Sequence, residues 1–147
     1  MEFKKIDTNK KQYINLLLLA DEQENMIDLY LNRGTMYVLN DFGVKALCVV
    51  TDEDHDILEI KNIAVEPDYQ NRGYGTALID FIIKKYKHKY RILQVGTGDV
   101  PKAINFYKKS GFHQSHKIKN FFTDHYDEPI YDDGIQLVDM IYLQVNL

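Results

Sequence analysis

The chain has one cysteine, Cys48, so no internal disulfide can form. Small secreted domains are commonly held by several such bridges, which excludes a stapled extracellular scaffold. The opening Met-Glu-Phe-Lys-Lys-Ile-Asp lacks the apolar centre of a signal peptide. Purely apolar runs are short, and one such as Leu16–Ala20 is far below the ~20 residues that cross a bilayer. An excess of positive charge is also lacking. Against 18 Lys and Arg stand 22 Asp and Glu, a net charge of −4, which argues against a nucleic-acid partner. A mildly acidic protein leans instead toward cationic small molecules or amines. No repeat, linker or low-complexity tract divides residues 1–147. A single soluble, cytoplasmic domain is expected, with no membrane partner.

Hydrophobic periodicity supplies the elements. A short strand is expected over 3–6, then a helix over 10–19. Asp21, with Glu24 three residues on, has the spacing of a helix cap, and Met26, Ile27, Tyr30 and Leu31 recur at helical intervals up to Gly34. Strands over 36–39 and 44–50 flank the turn Asn40-Asp41-Phe42-Gly43. A strand over 57–65 ends at Pro67, and 75–86 is the clearest amphipathic helix. A strand over 92–95 precedes Gly96-Thr97-Gly98, read as its exit turn. Asp99 is expected to cap a helix that Pro101 starts and Ser110-Gly111 ends. Strands over 117–122 and 136–147 close the chain, and the second is long enough to pair with another subunit. Monomer and homodimer both remain open. Strands alternating with helices from residue 57 imply a partly parallel sheet, within a mixed α/β (α+β) three-layer domain.

Gln70-Asn71-Arg72-Gly73-Tyr74-Gly75-Thr76 lies between an apolar strand and an amphipathic helix. Unpaired N–H groups and the helix dipole make such a junction an anion site. Gly73 and Gly75 let phosphate oxygens approach the backbone, Arg72 offers charge, and Thr76 a hydroxyl. The loop has neither the Walker lysine nor the three-glycine dinucleotide pattern. By itself it fits an ordinary glycine turn equally well.

A second motif, Ala103-Ile104-Asn105-Phe106-Tyr107-Lys108-Lys109-Ser110-Gly111-Phe112, follows some thirty residues later. Alone it reads as core packing with a half-buried tyrosine. Together, the Ile63-to-Gly75 segment and this Tyr-bearing helix resemble the GNAT superfamily of N-acetyltransferases, over residues 59–112. The stretch Phe121-Phe122-x-x-His125-Tyr126-x-Glu128-Pro129-Ile130 is similar to a bacterial subgroup whose acceptors are mostly unassigned.

The resemblance implies a GNAT-like fold, with a mixed sheet of about seven strands, two parallel strands splayed apart, and about four flanking helices. It implies acetyl-CoA as cosubstrate and a primary amine of a small molecule or peptide as acceptor, attacking the thioester directly. The pantetheine arm would lie along Ile63, Ala64 and Val65, and the pyrophosphate on Gln70, Asn71, Arg72, Gly73, Tyr74, Gly75 and Thr76. A Val65 amide would polarise the thioester carbonyl. Glu59, thirteen residues before Arg72, matches the family's frequent base position. It also fits a plain strand carboxylate. Tyr107 is the expected general acid, because a phenol of pKa ~10 suits reprotonation of a thiolate whose thiol has pKa ~8.5. Where many relatives carry an asparagine that holds pantetheine, this chain has Val100, and Asn105 is the candidate replacement.

No metal is expected: His113, His116 and His125 lack a matching ligand cluster. Cys48 reads as packing. The acidic stretch with Asp124, Asp127, Glu128, Asp132 and Asp133 fits either a rim attracting a cationic amine or an ordinary solvated loop. A CoA-binding sensor without catalysis is the alternative function.

Overall fold

A computed structural model describes residues 1–147. In chain order the elements begin with β1 (Glu2–Ile6), a 3-10 turn at Lys10–Tyr13, α1 (Ile14–Ala20) and α2 (Glu24–Asp28). There follow β2 (Thr35–Asn40), β3 (Val44–Asp52), β4 (Ile57–Val65), α3 (Tyr74–Tyr86), β5 (Ile92–Gly98) and α4 (Pro101–Lys109). The chain closes with β6 (His113–Ile118), α5 (Phe121–His125), the small hairpin β7 (Tyr131–Asp132) and β8 (Ile135–Gln136), and β9 (Met140–Asn146).

Seven strands form one sheet in the order β1-β2-β3-β4-β5-β9-β6. Every neighbouring pair is antiparallel except β4 with β5. Helices cover both faces, which explains why Ala46–Val50 of β3 is a continuous apolar run. On one face Ala46, Cys48 and Val50 join Leu78, Ile79 and Ile82 of α3 in the larger core. On the other, Leu47 and Val49 meet Leu16 and Leu17 of α1 and Ile27 of α2. This is the three-layer arrangement expected.

Several local readings are corrected. Asp21 ends α1 and does not cap α2, which starts after Gln23 without a side-chain cap. The Asp21 carboxylate is taken instead by two tyrosine hydroxyls from elsewhere in the chain. Val100, not Asp99, holds the cap position of α4, because its side chain is fully buried against Phe122 and Leu137. Gly96-Thr97-Gly98 is strand, paired with β9 to the end. Its glycines make room: a Cβ on Gly96 would lie 2.5 Å from Met140 Sδ, and one on Gly98 would collide with Leu137 Cδ2. Residues 117–122 do not form one strand; β6 lies earlier and α5 begins at Phe121. The C-terminal strand β9 is interior, with β5 on one side and β6 on the other. It has no free edge for a second subunit.

Candidate active site

The parallel ladder between β4 and β5 runs only from Ile57–Ile92 to Ile60–Val95. At that point β4 bulges: Val49 faces Asn62 and Val50 faces Ile60, so Lys61 is the extra residue. The bulge reverses the strand's phase. Leu58 and Ile60 pack into the larger core, and so do Ile63 and Val65 despite opposite parity. Beyond Ile60 the strands diverge, because β4 continues along β3 while β5 continues along β9. The β4 edge from Lys61 to Val65 therefore faces a gap with unpaired backbone donors and acceptors.

Two clefts open at this gap. The larger, about 750 Å³, runs from Ile63, Ala64 and Val65 past the glycine loop to Asn105 and Phe106 on α4. The smaller, about 290 Å³, lies between Ile60–Ile63 of β4 and Val95–Gly98 of β5, and reaches Asp21, Phe122 and Tyr126. Ile63, Ala103, Tyr107 and Asp132 belong to both walls.

The glycine loop is shaped by its own side chains. Gln70 Nε2 donates to the Val65 carbonyl at 3.2 Å, folding the loop onto the strand end. Asn71 and Gly73 take positive φ, 62° and 89°. Gly73 precedes α3, and no side chain caps that helix, so its first N–H groups are left for a ligand. Gln70, Asn71, Gly73, Tyr74, Gly75 and Thr76 all line the larger cleft. Arg72 does not; its guanidinium sits 5.2 Å above the Tyr69 ring. The glycines differ in purpose. A Cβ on Gly73 meets nothing within 4 Å, whereas one on Gly75 would lie 2.9 Å from Phe106 Cζ. Gly73 satisfies the turn, and Gly75 lets α3 and α4 touch.

Tyr107 is buried, with its ring edge-on to Phe106 and Phe112. Burial, and secondarily the charge of Asp132, push its hydroxyl well above the ordinary phenol range, so it stays protonated near neutral pH and is a weaker acid than a free phenol. Its position on both walls puts that proton where the clefts meet.

Glu59 is 4% exposed and lies on the α1 side of the sheet. Its Oε1 accepts from Gln94 Nε2 at 2.5 Å, and its Oε2 is 2.7 Å from Lys61 Nζ. Gln144 in turn donates to Gln94 at 3.1 Å. Glu59 lines neither cleft, but Lys61 lines the smaller one. Among the acidic-loop residues only Asp132 reaches the clefts; Asp124, Asp127, Glu128 and Asp133 are solvent-exposed. His116 stacks on Tyr142, a packing role. Cys48 is fully buried and its thiol is pushed up to about 12, which suits packing and not nucleophilic work.

Asp21, Tyr30, Asn62 and Tyr126 form a hydrogen-bonded group beside the smaller cleft that the sequence reading did not single out. An Asn directly before the apolar Ile63–Val65, inside the expected strand, was the available signal.

The family model of the acetyltransferase (GNAT) domain matches residues 32–114. The uncharacterized N-acetyltransferase YvbK of Bacillus subtilis is 35% identical over 96% of this chain and 92% of its own length. A GNAT family acetyltransferase from Elizabethkingia anophelis, solved with acetyl-CoA bound, superposes with a TM-score of 0.92 at 37% identity, covering 99% of this chain and 97% of that one. The IAA acetyltransferase from Bacillus cereus ATCC 14579 gives 0.91 at 33% identity, covering 99% of each. Motif, fold and these likenesses converge: the chain belongs to the GNAT family of acetyl-CoA-dependent N-acetyltransferases.

Proposed function

We propose that the protein moves an acetyl group from acetyl-CoA to a primary amine of a small molecule or peptide, by direct attack of the amine on the thioester. The observation that carries this reading is the meeting of two clefts at Tyr107. One cleft has an uncapped helix N-terminus and an open strand edge. The other has Asp21 and Asp132 on its wall. Acetyl-CoA supplies the activated acetyl group, held in the larger cleft.

The chain's own residues then have distinct tasks. The α3 N-terminus, with Gly73 and its neighbours, binds the pyrophosphate through backbone N–H groups. The edge from Ile63 to Val65 holds the pantetheine amides, with Asn105 on the opposite wall. A backbone N–H near Val65 steadies charge on the carbonyl oxygen. Tyr107 delivers its proton to the departing sulfur. An alkyl amine of pKa ~10.4 arrives mostly protonated near neutrality, so it must lose a proton before attack. Glu59 borders neither cleft, so it takes that proton through water and not by direct contact.

The test is CoA release from acetyl-CoA by purified protein, with a panel of amines, short peptides and IAA, the compound named for the Bacillus cereus relative. Release that depends on an amine supports the proposal. Tight acetyl-CoA binding without release on any acceptor would instead indicate a sensor.

A further inference from the structure

The hydrogens around the smaller cleft can be counted. Asn62 is 3% exposed, and its Nδ2 donates to the Leu17 carbonyl at 3.0 Å and to the Tyr30 hydroxyl at 3.1 Å. A carbonyl can only accept, so Leu17 fixes which way the amide points. Both amide hydrogens are thereby committed toward α1 and the turn that follows α2. Asn62 Oδ1 has no partner in the protein. Tyr30 accepts from Asn62 and gives its single hydrogen to Asp21 Oδ2 at 3.0 Å. Tyr126 gives its own to Asp21 Oδ1 at 2.6 Å. No hydrogen is left over: Asn62 and Asp21 present only lone pairs.

Both residues line the smaller cleft, as does the Asp132 carboxylate. The one ammonium on this wall, Lys61, is already held by Glu59. Apolar side chains, Phe122, Leu137 and Met140 among them, share the rest of the wall with polar groups. A buried oxygen without a donor is costly and uncommon, so it marks a place where a ligand hydrogen belongs. The complementary group carries several N–H donors and a positive charge. The amine that reacts beside Tyr107 must be uncharged at the moment of attack, so an ammonium site reads a different nitrogen.

We propose that Asn62 and Asp21 select acceptors bearing a second, cationic amino group: compact diamines rather than monoamines or amino acids. This rests on the function proposed above. Asn62 Oδ1 and Asp21 hold the ammonium, while the free amine at the other end reaches the junction of the clefts. A carboxylate on the acceptor meets Asp21 and Asp132 and is turned away.

The experiment compares 1,4-diaminobutane, 1-aminobutane and 4-aminobutanoate as acceptors by CoA release, with acetyl-CoA affinity followed separately by calorimetry. The diamine is expected to exceed both others in kcat/KM by at least about tenfold, the effect of one well-placed charged contact. Asp21→Asn should reduce that preference to near unity and leave acetyl-CoA affinity unchanged. Tyr126→Phe, which keeps the carboxylate but removes one donor to it, should reduce the preference partially and serves where Asp21→Asn fails to fold. Equal use of diamine and monoamine by the wild-type protein would overturn the proposal while leaving acetyl transfer intact. So would turnover of other acceptors but of none of these three. Absence of turnover on every acceptor would instead remove the function on which the proposal rests.

Discussion

The ammonium of Lys61 lies 2.7 Å from the carboxylate of Glu59, two residues back on the same strand. Lys61 is the residue inserted at the bulge. Gln94 holds the other oxygen, so Glu59 is a buried anion with both sides occupied. Lys61→Met should therefore destabilise the fold by about 2 kcal/mol, because it leaves that anion short of its counter-charge. Glu59→Gln should lower turnover by about a hundredfold if Glu59 takes the amine's proton. The double variant should recover much of the stability and none of the turnover. Urea midpoints and CoA release, measured on the three proteins, separate the two roles. Normal turnover in Glu59→Gln would confine Glu59 to structure.

Tyr107→Phe keeps the ring between Phe106 and Phe112 and removes only the hydroxyl. Acetyl-CoA affinity should stay within about twofold, and kcat should fall by about a hundredfold. Full turnover with a genuine acceptor would dismiss the tyrosine as the acid.

Gly73 and Gly75 should fail differently. Gly73→Val has space but the wrong φ, so it costs roughly 1–2 kcal/mol of stability and obstructs the pyrophosphate site. Calorimetry should show acetyl-CoA binding weakened by about tenfold or more, in line with a lost anion contact. Gly75→Val collides with Phe106 and should cost more in stability than Gly73→Val, seen as the lower Tm. Unchanged acetyl-CoA affinity in Gly73→Val would refute the loop assignment.

Cys48 should resist iodoacetamide in the native protein near neutral pH and react fully in denaturant. Burial pushes its thiol up to about 12 and leaves it no exposed surface. A raised folded pKa favours the protonated thiol, so stability should fall only where the unfolded thiol ionises, above about pH 8.5. Rapid native labelling, detected by mass spectrometry, would contradict this burial.

The strand 57–65 and the helix after it were legible because period, proline and glycine agree there. The Gly96-Thr97-Gly98 segment misled for a physical reason. Glycine reads as a turn, but these glycines serve side chains arriving from Leu137 and Met140, some forty residues away. Strand β6 was missed because all six of its residues are exposed, and no alternation marks it. Its partner β9 holds it in place. The Tyr107 helix and the glycine loop stand out as short local patterns. The Asp21–Tyr126 contact spans 105 positions, so Asp21 looked like a helix cap and nothing nearby said otherwise.

The bulge at Lys61 also limits how this site can be altered in evolution. It joins two half-strands of opposite phase, with Ile60 and Ile63 on one face and Glu59 and Asn62 on the other. Point changes can retune the acceptor cleft one side chain at a time. Loss of the Lys61 codon would straighten the ladder yet leave Asn62 to Val65 on their present partners in β3, so their side chains would keep their faces while the irregularity beside the β4–β5 gap disappears. Such a deletion should thus be felt at the opening of the cleft and not in the packing of the strand's two faces.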